Sequence, residues 1–229
     1  MSAHSANENS LPTSLSFKEA FLFPLQTADG RHDIFIGTVA ILLLWPVGWI
    51  LNLGARLDTV KRLHDGRPPY FRGMRPYTKT LQRGVISATA IFCYLSPAII
   101  LWLIAGLRHW SGDVTNLDIL LALVGLGMFV LGVYTLPACM TVYACEGDPS
   151  VLRHPVRAFN RAAAQRLPYC KAWLIAISAI LLSLLGLLFI GVGFVATSVW
   201  AWEVVGYAFT VAMYSSTQKN CSIGASHKM

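Results

Sequence analysis

Long apolar stretches alternate with short polar ones along most of the chain. The first apolar stretch covers residues 34–55, between Asp33 and Arg56; the second covers 85–107 and the third 117–144. Each holds one internal proline (Pro46, Pro97 and Pro137), which a membrane helix tolerates as a kink. Residues 172–214 are almost uniformly apolar over 43 positions, about 65 Å as one helix against a hydrocarbon thickness of about 30 Å. That run has to turn or break, and Gly191-Val192-Gly193 is the natural place. It reads as a helical hairpin of 172–190 and 194–214; the alternative is one span followed by a half-inserted segment. The expected architecture is an all-α integral membrane protein, a bundle of four or five transmembrane helices with interfacial amphipathic helices. A tail (1–33) precedes the bundle (34–214), and a second tail (215–229) follows it.

The polar stretches carry patterns of their own. In the first tail, Leu15, Phe17, Phe21, Phe23 and Leu25 are interspersed with Lys18 and Glu19, the pattern of a segment lying in the membrane interface. Leu53, Leu57, Val60 and Leu63 continue a helical stripe beyond the first span, flanked by Arg56, Lys61 and Arg62, until Asp65-Gly66 ends it. In the loop 144–171, Pro155 opens a helix and Pro168 is expected to stop it. Val156, Phe159, Ala163 and Leu167 line one face of that helix, with Arg153, Arg157 and Arg161 along its flank.

Composition agrees with the pattern. Hydrophobic residues make up 55% of the 229 and charged residues 13%, about half the charge of a soluble domain. The polar start lacks a basic region followed by a short apolar core, so no signal peptide is expected. The loops 56–83 and 144–171 hold thirteen of the eighteen Lys and Arg residues. By the positive-inside rule both face the cytoplasm, which with five spans places the N-terminus outside and the C-terminus inside. The net charge of +7 points to anionic lipid headgroups as a partner, or to a membrane protein with an acidic face. No nucleic-acid-binding motif accompanies it.

Packing signals are strongest in the fourth span. Ala172, Ala176, Ala179, Ser183, Gly186, Ile190 and Gly193 recur at four-three spacing, a seam of mostly small residues that lets helix backbones approach. It can serve packing within this bundle or against another subunit. Gly125 and Gly132 share a face of the third span.

Candidate chemistry is sparse. Glu203 is the one acidic residue well inside an apolar run, between Trp200, Trp202 and Tyr207. Such a carboxylate marks an ion or proton path, lies at the interface, or is hydrogen-bonded within the bundle. The histidines show no metal-ligand or haem spacing, and the sequence has no HExxH, GxSxG or phosphate-binding glycine loop. Cys93, Cys139, Cys145, Cys170 and Cys221 are odd in number and include no CxxC, so Cys93 and Cys139 read as small apolar filler. Neither a cofactor, a metal nor an enzymatic activity is expected.

Several short motifs carry a resemblance. The run 54–69 (Gly-Ala-Arg-Leu-Asp-Thr-Val-Lys-Arg-Leu-His-Asp-Gly-Arg-Pro-Pro), Arg83-Gly84 with Tyr94-Leu95-Ser96-Pro97, and Leu136-Pro137-Ala138 with Tyr143, Ala158-Phe159 and Tyr169 resemble a prokaryotic multi-pass family catalogued as domain of unknown function 4013. Ala55 stands where an aromatic is common there. The ending 191–197 through Tyr207 and Tyr214 is similar to related families, with Val199 where a proline often follows the threonine. The resemblance implies a multi-pass fold in a prokaryotic cytoplasmic membrane, or a membrane derived from it, and brings no catalytic residues. The leading expectation is a non-catalytic scaffold or accessory subunit that packs against a membrane-protein partner or a second copy. Two alternatives stand beside it: a small transporter or channel component using Glu203, and an anionic-lipid-binding membrane organiser.

Overall fold

The computed structural model describes residues 12, 14–70, 76–112, 115–188 and 192–226. All regular structure among them is helical: α1 (Phe17–Leu22) with a single 3-10 turn (Phe23–Leu25), α2 (Ala28–Leu44), α3 (Val47–His64), α4 (Tyr77–Ser111), α5 (Asn116–Glu146), α6 (Ser150–Arg153), α7 (Val156–Ala164), α8 (Arg166–Leu184) with a 3-10 turn (Leu185–Leu188), and α9 (Val192–Ser226). Four stretches are long and apolar enough to cross a membrane: Tyr77–Trp110, Asn116–Glu146, Arg166–Leu188 and Val192–Ser215. The chain is therefore an all-α membrane bundle. The expected spans 85–107, 117–144, 172–190 and 194–214 fall on these helices, although residues 189–191, with part of the expected turn, lie outside the described residues.

The first apolar stretch behaves differently from its expectation as one span. Proline supplies no N–H to continue a ladder, and the chain reverses at Trp45-Pro46, whose peptide bond is cis. Asn52 Nδ2 in α3 donates to Gly37 O in α2 at 3.0 Å and to Gly48 O at 2.9 Å, and Gly48 abuts Ala40 O. These pairings make α2 and α3 an antiparallel hairpin. Gly30, near the start of α2, packs on Tyr70, just beyond α3. An N-terminus outside and a 56–83 loop inside require residues 34–55 to cross once. The structure has a helical hairpin there in place of one continuous helix, and neither α2 nor α3 is among the four candidate spans.

The remaining helices pack in consecutive antiparallel pairs. A Cβ on Gly54 would strike Thr80 O, and one on Gly84 would strike Ile50 O, so α3 and α4 touch backbone to backbone. Between α4 and α5, Gly132 lies under Tyr94 O, and Gly125 under Trp102, whose Nε1 donates to Ala122 O at 3.1 Å. Arg108 closes that pair with a 2.8 Å ion pair to Asp118, which also caps α5 through Thr115. Tyr169 and Trp173 of α8 pack on Phe209 of α9, with ring centroids 5.1 and 5.5 Å apart.

The N-terminal segment lies on α9. Trp200 Nε1 donates to Phe21 O at 3.2 Å, and Phe23 stacks on Tyr207 at 4.4 Å. Leu15 and Ala20 are buried, while Phe17, Leu22 and Leu25 stay exposed. Pro168 is the other local correction. It does not stop a helix but occupies the first turn of α8, where a missing N–H costs no hydrogen bond; the break falls at Gln165, between α7 and α8.

Candidate functional site

The polar side chains of α3 reach three different neighbours. Asn52 ties α2, as above. Asp58 accepts the Thr80 hydroxyl at 2.6 Å and pairs with Arg83, which ties α4. Arg56 turns towards α9, where it interacts electrostatically with Glu203 and sits 5.1 Å from the ring centre of Trp202. Both charged residues are buried, Arg56 at 8% exposure and Glu203 at 7%. Arg56 was expected to face lipid or a partner, and that reading is corrected. Its side chain projects from the α9-facing side of α3, over the Trp202 ring and within the field of the buried Glu203. Glu203 is thus inside the bundle and not at its surface. A cavity of about 40 Å³ lies beside the pair, lined in part by Asn52, Ser198 and Trp49.

The small-residue seam is covered from within the chain. Ala172, Ala176, Ala179 and Ser183 are buried, in the interface between α8 and α9. Gly186 meets Gly193 O and Thr197, whose hydroxyl donates to Ser183 O at 2.8 Å.

The basic residues of the two loops come together. One apolar cluster joins Leu57 and Val60 of α3, Ala90 of α4 and Met140, Tyr143 and Ala144 of α5, with Leu152 of α6 packed against it. Tyr94 of α4 donates to Leu152 O at 3.1 Å. Arg161 donates to Glu146 at 2.9 Å and to the Tyr214 hydroxyl at 2.5 Å, and Arg157 lies 3.5 Å from Glu146. Lys61 and Arg62 are half-buried at the end of α3, where Arg62 Nε donates to Pro68 O at 2.6 Å. His64, beside the Tyr214 ring at 4.4 Å, has its pKa lowered by burial. Asp148, which accepts the backbone N–H and hydroxyl of Ser150, is held below the usual carboxylate range. Arg153 differs from its neighbours: it is exposed and has no ion pair or hydrogen bond among the described residues.

Arg153 borders an open groove of about 850 Å³ between α4, α5 and the α6–α7 segment. Val85, Cys93, Tyr94 and Pro97 line one wall, Met128, Leu131 and Thr135 another, and Val156 and Phe159 a third. Arg153 is the one charged residue in the lining. Sequence reasoning identified Arg153, Val156 and Phe159 as parts of an amphipathic helix, but it did not find the groove, whose walls come from distant parts of the chain. It also missed Asp58 and Arg83 as a pair; the only hint was an acidic residue next to the apolar stripe of α3. Among the described residues no group of three or more His, Cys, Asp or Glu could hold a metal ion. What the arrangement offers chemically is a basic, partly apolar face and two buried, oppositely charged residues, Arg56 and Glu203, within electrostatic reach of each other. Compared with protein-family models, curated proteins and solved structures, the chain matches none.

Proposed function

We propose that this chain is a non-catalytic membrane protein that engages anionic lipid headgroups at its basic end, and that this end faces the cytoplasm. The observation that carries the reading is Arg153, exposed and without a counter-charge beside the exposed apolar side chains Val156 and Phe159 of α7. Such an amphipathic helix inserts its apolar side at the headgroup boundary, and Arg153, just before it at the end of α6, offers its guanidinium to phosphates.

This reading gains on the two others. A docking subunit drew its support from the seam on α8, and α9 already occupies that seam. Transport drew its support from Glu203, which is engaged with Arg56 beside a cavity of about 40 Å³, room for a water and not for a conduit.

The test is the lipid composition around the protein. The chain is excised with its surrounding lipid by a styrene–maleic acid polymer from membranes of mixed phosphatidylglycerol and phosphatidylcholine. Phosphatidylglycerol should be enriched over the bulk membrane, and the enrichment should weaken as salt shortens the screening length to below about 10 Å. A composition equal to the bulk at low salt would sink the reading.

A further inference from the structure

We infer that the groove between α4, α5 and α7 seats one anionic phospholipid, its phosphate on Arg153 and an acyl chain along α4. The inference rests on the proposed lipid reading and sharpens it from a general attraction to a single site.

Shape gives the first argument. A volume of about 850 Å³ is in the range of sites that enclose a small ligand. The α4 wall runs from Val85 to Pro97, about 18 Å of helix axis. One leaflet contributes about half of a 30 Å hydrocarbon core, so the wall matches the reach of one chain. The two longest walls belong to helices that are themselves membrane spans, which opens the groove to lipid.

Polar chemistry gives the second. A peptide in this groove would need partners for its backbone N–H and C=O groups. The lining has few to offer: the Tyr94 hydroxyl is already bonded to Leu152 O, and the Thr135 hydroxyl to Leu131 O. An acyl chain asks for none.

Charge gives the third and sets the lipid class. A chain leaving the bilayer for an apolar groove gains no hydrophobic free energy, because lipid tails are as apolar as the lining. Preference must therefore come from the headgroup. Arg157 and Arg161 are committed to Glu146, which leaves Arg153 as the cation for a phosphate whose charge no choline balances. The planar guanidinium suits two phosphate oxygens at once.

The experiment is native mass spectrometry of the full chain released from bilayers of equal phosphatidylglycerol and phosphatidylcholine. One tightly held phosphatidylglycerol per chain is expected. Arg153→Gln should lower its preference over phosphatidylcholine about fivefold, the scale of one basic side chain near a membrane surface. Cys93→Trp, which fills the groove from an exposed position, should lose the held lipid of either class, and Thr89→Trp should do the same should the first variant fail to fold. A held phosphatidylglycerol that survives a folded groove-filling variant, or a preference unchanged in Arg153→Gln, overturns the seat. Where either result overturns the seat, phosphatidylglycerol still enriched around the wild type leaves the broader reading standing; if the enrichment is missing from the wild type, both fall.

Discussion

Arg56 and Glu203 meet only because α3 and α9 pack side by side; no local pattern links them. The guanidinium remains charged at any accessible pH, whereas a carboxylate can accept a proton when its partner is lost. The two single substitutions should therefore differ. Glu203→Leu leaves a buried cation without compensation and should lower stability by about 3–5 kcal/mol. Arg56→Met should cost less, because Glu203 can become neutral. The double variant Arg56→Met/Glu203→Leu should recover most of the loss, since replacing both members of a buried pair by apolar groups is often close to neutral. Thermal unfolding in detergent measures all three. A double variant as unstable as Glu203→Leu would show that the pair does not act as a unit, and that Glu203 has other partners that matter more.

At the scale of elements, the meeting of α3 and α4 is fixed by two glycines. Gly54 lies against Thr80 O and Gly84 against Ile50 O, and a backbone oxygen cannot step aside as a flexible side chain can. Gly84→Ala should therefore push the helices apart and cost about 1–3 kcal/mol. Gly127→Ala, where a methyl group meets nothing within 4 Å, should leave the melting temperature nearly unchanged. Equal melting temperatures for the two variants would mean that α3 and α4 do not touch as described. The four long spans were legible in the sequence because run length alone separates a membrane helix from other elements. The α2–α3 hairpin was not. A 22-residue apolar stretch fits the membrane as one helix, and proline is compatible with both a kink and a reversal. The signals that distinguish them were Asn52, a polar side chain needing a partner, and Gly37 and Gly48, which let the second helix come close. Each makes sense only with the other helix in place. The groove was illegible for the same reason: Pro97, Thr135 and Phe159 share no periodicity, and only the folding back of α6 and α7 along α5 brings them together.

For the whole molecule, the hairpin changes the count of crossings. With each of the four candidate spans crossing once after it, the N-terminal segment, the connection from α3 to α4, the α6–α7 segment and the end of α9 are expected on one side. The connection from α4 to α5 is then expected on the other, where Arg108 is balanced by Asp118. This arrangement satisfies the charge asymmetry more simply than five spans do, because no part of the N-terminal segment, with Lys18 and Arg31, has to be translocated. It would also put α1 on the side where α7 and Arg153 present their apolar and basic groups, which is the face of the proposed lipid contact. Single cysteines introduced in a background lacking the native ones test this. Ser14→Cys and Arg67→Cys are at exposed positions and should react with a membrane-impermeant maleimide from the same face of sealed vesicles. Asn116→Cys, also exposed, should react only from the opposite face. Labelling of Ser14→Cys together with Asn116→Cys would mean that residues 34–55 cross after all. The α2–α3 hairpin would then be wrong, and the lipid proposal would lose the N-terminal segment from its face while keeping Arg153 and α7.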